Sequence, residues 1–158
     1  MRSALALSFA VVLAGVLQTS FGLGEKYGPD LLLLVAMISG WLKGPEAGAV
    51  VGLLCGIFTG ALHGNGIGGF LVSRIAAALG VSWMRQQVYG ERPIILAACC
   101  FLGTGLAAGL LMLWQPPREG FDWMPLLIQA VANAALSLVG YPILKALAGK
   151  PYSEESPL

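Results

Sequence analysis

The sequence predicts an all-α integral membrane protein with six transmembrane helices in one compact bundle. Three observations carry this reading. Of 158 residues, 57% are hydrophobic and 11% are charged, whereas a soluble domain carries about a quarter charged residues. The mean hydropathy is +0.79, and a bilayer accommodates that much apolar surface where water does not. Apolar runs recur six times along the chain, each close to the ~20 residues needed to cross the hydrocarbon core. A net charge of +1 and the lack of a basic run exclude nucleic acid as a partner class.

The first predicted helix runs over residues 4–21. Met1-Arg2 followed by an apolar stretch resembles a signal peptide, but the stretch is too long and lacks an Ala-x-Ala site, so it reads as a retained helix. The second helix is predicted over 27–42, the third over 45–62 and the fourth over 67–84. The fifth is predicted over 93–114 and the sixth over 123–147. Residues 1–149 form one membrane domain, and the polar tail 150–158 reads as disordered. Gly28-Pro29-Asp30 and Gly44-Pro45-Glu46 are the same helix-start signal. Proline suits the first helical turn, and the acid after it meets the positive end of the helix dipole. Gln115-Pro116-Pro117-Arg118-Glu119-Gly120 reads as a loop. Trp41, Trp83, Trp114 and Trp123 fall at predicted helix ends, where an aromatic belt belongs.

Lys and Arg set the orientation. With six crossings, Arg2, Lys43, Arg85, Arg92, Lys145 and Lys150 share one side, and Lys26 and Arg118 the other. The richer side is cytoplasmic, with both termini inside. The second helix is short; as a re-entrant segment it would move Lys26 across and Arg2 away, leaving the balance of charge the same. Six crossings are favoured, because a short helix spans with local thinning of the bilayer.

Glycine recurs at every fourth residue from Gly40 to Gly68. Each step of four turns roughly 40° round a helix, so Gly48, Gly52, Gly56 and Gly60 form a winding groove on the third helix. Small residues let helix backbones meet in lipid. The groove serves either packing within the bundle, with the third helix central, or docking of another membrane protein. Gly105-x-x-x-Gly109 on the fifth helix is a shorter version, and Ala6, Ala10 and Ala14 form an alanine ridge on the first.

Arg74 lies within the fourth helix, where an arginine is costly and is a functional candidate by default. Alternatively it snorkels, or bonds backbone carbonyls and Asn133 or Gln129 of the sixth helix. Asp30, Glu25, Glu46, Glu91, Glu119 and Asp122 all map to helix ends or loops, so no carboxylate is expected beside it. That argues against a proton relay or cation pump. Gln18, Asn65, Gln129 and Asn133 are candidates for interhelical hydrogen bonds. His63 has no Cys, Asp or Glu spaced to complete a metal site, and Cys55, Cys99 and Cys100 read as small buried hydrophobes. Gly64-x-Gly66-x-Gly68-Gly69 joins two helices and follows no strand, which makes it a poor phosphate cradle. No residue set nominates an enzyme, a cofactor or a metal.

Leu17-Gln18-Thr19-Ser20, Pro29-Asp30-Leu31-Leu32-Leu33-Leu34, Gly44-Pro45, Gly48-Ala49, Gly52-Leu53-Leu54-Cys55-Gly56-Ile57 and Gly68 occur in this order. Together they resemble the rod shape-determining MreD family over roughly residues 17–80. One departure is that the family's Gly-Leu-x-x-Asp pattern reads here as Gly56-Ile57-Phe58-Thr59-Gly60-Ala61-Leu62-His63, without an acid. The resemblance implies a non-catalytic subunit of the bacterial cell elongation complex in the cytoplasmic (inner) membrane. It implies MreC as direct partner, and through the complex a RodA-type glycosyltransferase, a class B penicillin-binding transpeptidase and the MreB filament. Binding would use the Gly48–Gly60 groove or the Ala6–Ala14 ridge. It also implies a fold resembling the substrate-binding subunits of energy-coupling-factor transporters. A vitamin-binding subunit of such a transporter is the alternative function, with Trp114, Asn65, His63 and Trp123 as the few groups available to line a pocket.

Overall fold

Among the described residues of the computed structural model, six α-helices follow one another: α1 (Arg2–Ser20), α2 (Leu31–Lys43), α3 (Pro45–His63), α4 (Ile67–Gln87), α5 (Pro93–Trp114) and α6 (Trp123–Ala148). The structure describes residues 2–22, 28–64, 66–88, 92–116 and 122–148. The expected positions of Glu25, Lys26, Tyr27, Asn65, Glu91, Arg118, Glu119 and the tail from Lys150 lie outside the described residues. Helices α3, α4, α5 and α6 are each long and apolar enough to cross a membrane, and α1 and α2 are shorter apolar helices.

The centre of the bundle is α2, not α3. A helix that is apolar on every side needs neighbours on every side. The run Leu31-Leu32-Leu33-Leu34-Val35-Ala36-Met37-Ile38 has no polar face. Ten of the 13 residues of α2 are buried, and α2 packs against each of the other five helices. At 1.5 Å per residue, α2 is only about 20 Å long. Surrounded by protein, it has no need to match the bilayer thickness by itself.

Helix α2 begins two residues after Pro29, so the proline precedes the first turn and does not occupy it. Asp30 is the N-cap, in an extended conformation, and its carboxylate accepts from the Leu33 amide at 3.0 Å. At the other end, Gly44 closes α2 and opens α3 at φ 87°. That backbone conformation favours glycine and turns the chain between two helices with a single residue. Pro45 then stands in the first turn of α3, as the sequence suggests.

The glycine groove of α3 is filled from within the chain. A methyl group on Gly56 would lie 2.6 Å from the Leu71 Cα, and one on Gly60 would lie 2.7 Å from the Ile67 Cα. On Gly52 it would lie 3.0 Å from the Arg74 carbonyl oxygen, and on Gly48, 2.8 Å from the Gly40 Cα. Helix α4 therefore lies in the groove, with α2 crossing at Gly40 and Gly48. The reading of this groove as an open docking face is corrected on that ground. The alanine ridge also faces inward: Ala10 and Ala14 are buried and Ala6 is half-buried, with α1 against α2, α3 and α6. The large apolar residues of α1 that remain outside are Leu5, Phe9, Val12, Leu13, Val16 and Leu17. By contrast, methyl groups on Gly105 and Gly109 of α5 would meet nothing within 4 Å among the described residues.

One aromatic expectation is also corrected. Trp83, Trp114 and Trp123 are exposed, as in a belt, but Trp41 is 2% exposed within the core. Its neighbours there include Ile38, Leu42 and Val81 in one apolar cluster.

These contacts separate the glycines by consequence. Gly56→Ala should destabilise the protein by about 1–3 kcal/mol, because the obstructing atoms are backbone. Gly109→Ala should be neutral or slightly stabilising, because it only gains helix propensity. Thermal unfolding of the two variants in the same detergent checks the contrast.

Candidate functional site

Seven buried polar residues, Gln18, Asp30, Thr59, Ser73, Arg74, Thr104 and Asn133, gather where α1, α3 and α5 end and α2, α4 and α6 begin. The cause lies in α2. The first amides of any helix lack intrahelical partners, and here they sit inside the bundle, where no lipid can serve them. Two neighbouring helices contribute acceptors. The Gln18 side-chain carbonyl on α1 accepts from the Leu32 amide at 3.1 Å. The Asn133 side-chain carbonyl on α6 accepts from the Asp30 amide at 3.0 Å. The Asn133 NH2 group then donates to the Thr104 hydroxyl of α5 at 3.1 Å, and that hydroxyl donates to the Cys100 carbonyl at 2.8 Å. Gln18 and Asn133 thus act as the interhelical links expected of them.

Asp30 also carries the charge partner of Arg74. The Arg74 guanidinium donates through Nη2 to Asp30 Oδ2, and both residues are buried. This overturns the expectation that no carboxylate stands beside Arg74. It also removes the ground on which a relay or pump was disfavoured. The error came from placing Asp30 at a membrane surface. The bonds expected from Arg74 to Asn133 or Gln129 are replaced by this ion pair. The guanidinium further lies 5.3 Å from the Phe70 ring centroid, within cation–π range. At the far end of the same two helices, Arg85 donates through Nη1 to the Trp41 carbonyl, so Arg85 is tied to the bundle and is not a loop charge. Both arginine contacts join residues 44 apart in sequence, which locks α2 and α4 in one parallel register at each end.

Beside the ion pair is a cavity of about 260 Å³. Its polar lining includes Gln18, Asp30, Thr59, Ser73, Arg74 and Gln129, with His63 also on its wall. His63 Nδ1 lies 2.9 Å from the Thr59 carbonyl, and its ring centroid is 4.9 Å from that of Phe70. Trp114 and Trp123 do not line it. Sequence reading missed Thr59, Ser73 and Thr104. The signal that was available is Asp30 itself: a capping acid at the head of a helix with no polar face has to lie as deep as that helix's first turn. Among the described residues, no group of three or more His, Cys, Asp or Glu comes together to hold a metal.

Removing one partner of a buried ion pair leaves an uncompensated charge and costs about 3–5 kcal/mol. Arg74→Gln and Asp30→Asn should each destabilise the protein on that scale. The double variant Asp30→Asn/Arg74→Gln should recover a large part, because no charge is stranded. A double-mutant cycle by thermal or denaturant unfolding in detergent measures the coupling.

Set against models of known protein families, curated proteins and solved structures, the chain matches none of them.

Proposed function

We propose that the chain is a non-catalytic, six-span membrane subunit that assembles other membrane proteins by helix-to-helix docking. Both termini face the cytoplasm, where the Lys and Arg balance places them. The family it resembles makes the partner concrete: a single-pass protein of the MreC kind, which in turn holds cell-wall synthases of the elongation machinery and their filament. The order of Leu17-Gln18, Pro29-Asp30 and the α3 glycines supports this assignment. Two of those features have a physical role here, since Gln18 and Asp30 both serve the start of α2.

The observation that carries the docking reading is the outward pair on α5. The glycines of α3 are spent on packing within the chain, and Ala10 and Ala14 of α1 are buried. Gly105 and Gly109 are not: they lie on an exposed face with Leu102 and Leu113. In lipid, close backbone approach at small residues is a principal source of helix association. A partner helix finds that approach on α5.

Affinity purification of the tagged chain from gently solubilised bacterial membranes, with mass spectrometry of the eluate, tests the proposal. Recovery of a single-pass coiled-coil protein with cell-wall synthases is the expected result. The double variant Gly105→Leu/Gly109→Leu should lose that recovery at least tenfold while keeping the wild-type melting temperature. Recovery of a transport ATPase with its coupling subunit would overturn it in favour of a transporter subunit.

A further inference from the structure

From the chemistry of the cavity wall, we infer that the cavity beside Arg74 is a binding site for a small carboxylate- or phosphate-bearing molecule. The inference does not depend on the assembly role.

The wall carries unspent donors. Arg74 is 3% exposed, and its Nε makes no hydrogen bond. Among the described residues, its guanidinium makes a hydrogen bond through Nη2 to Asp30. Gln18 has its carbonyl taken by the Leu32 amide, which fixes the amide orientation and leaves the NH2 end unbonded among the described residues. The Gln129 side chain makes no hydrogen bond among them either, and all three residues line the cavity. Asp30 Oδ1 accepts from the Leu33 amide and Oδ2 from Arg74 Nη2, and neither oxygen bonds Arg74 Nε, Gln18 or Gln129 among the described residues.

An unpartnered donor at membrane depth carries a desolvation cost, and an oxyanion supplies the missing acceptors to guanidinium and amides together. The hydroxyl protons of Thr59 and Ser73 go to the Cys55 and Phe70 carbonyls at 2.8 and 3.0 Å. Those oxygens therefore offer lone pairs to a hydroxyl or amine on the rest of the ligand. The volume of about 260 Å³ is just under the ~300 Å³ at which drug-sized sites begin, which limits the ligand to a small solute or to the headgroup of a lipid.

The test uses the full chain, purified in detergent, with unfolding followed by tryptophan fluorescence. Sodium acetate, sodium phosphate and sodium chloride are compared at equal ionic strength, and phosphatidic acid is added to the detergent in a separate arm. Protection by acetate or phosphate over chloride is expected for a free solute. Protection by phosphatidic acid alone assigns the same site to a lipid headgroup. Gln129→Leu should raise the concentration for half-protection about tenfold, the effect of one lost hydrogen bond to a charged acceptor. Asp30→Asn/Arg74→Gln, which strands no charge, should abolish protection. Native mass spectrometry of the untreated protein should show a small anionic adduct absent from that double variant. The inference fails if no probe protects beyond chloride and no adduct is seen, or if both variants are protected as well as the wild type.

Discussion

The start of α2 lies inside the protein, and the rest of the bundle is arranged to satisfy it. A helix terminus presents amides that need acceptors, and a bilayer supplies none. Asp30 meets part of the need through its own carboxylate, but a buried carboxylate then needs a cation. Arg74 is that cation, and Gln18 and Asn133 accept from amides that Asp30 does not reach. Three helices, α1, α4 and α6, are thereby fixed relative to α2 by groups that are each costly to leave unpaired. Apolar contact alone, in lipid, is a weaker guide, because the lipid tails are as apolar as the leucines.

The glycines of α3 are the second constraint, and they work with the first. For Arg74 to reach Asp30 from α4, α4 has to run close beside α2. Helix α3 flanks both, and its missing side chains at Gly48, Gly52, Gly56 and Gly60 let it seat against them at backbone distance. The register of α2 with α4, held by Arg74 at one end and Arg85 at the other, then positions Thr59, Ser73 and Gln129 round one cavity. The polar cavity is a consequence of how the helix start is satisfied: the groups that cap and neutralise α2 do not exhaust their hydrogen-bonding capacity, and what is left over faces a common space.

The exposed face of α1 is built of large side chains, and that of α5 carries Gly105 and Gly109 between larger residues. An identical small-residue spacing thus has two fates in one chain. On α3 it is consumed in folding, and on α5 it is left at the surface. Spacing marks where backbones can approach; only the neighbours decide which backbone does.

Much of this protein was determined by sequence alone. Six apolar segments, the prolines at Pro45 and Pro93, and the loop residues between runs specify six helices, because helix starts and stops obey local chemistry that a linear reading captures. The interhelical use of Gln18 and Asn133 was legible for a similar reason: an amide in an apolar run has to find a partner. The tertiary structure decided which helix is central, which small-residue stripe faces inward, and what Arg74 pairs with. Asp30 shows why. Its position along the chain marks a helix end, and a helix end usually marks a membrane surface. Because α2 is short and enclosed, its end lies within the bundle instead. Depth is a property of the neighbours and not of the residue, so the ion pair of Asp30 with Arg74, and the cavity beside it, emerge only when the six helices pack.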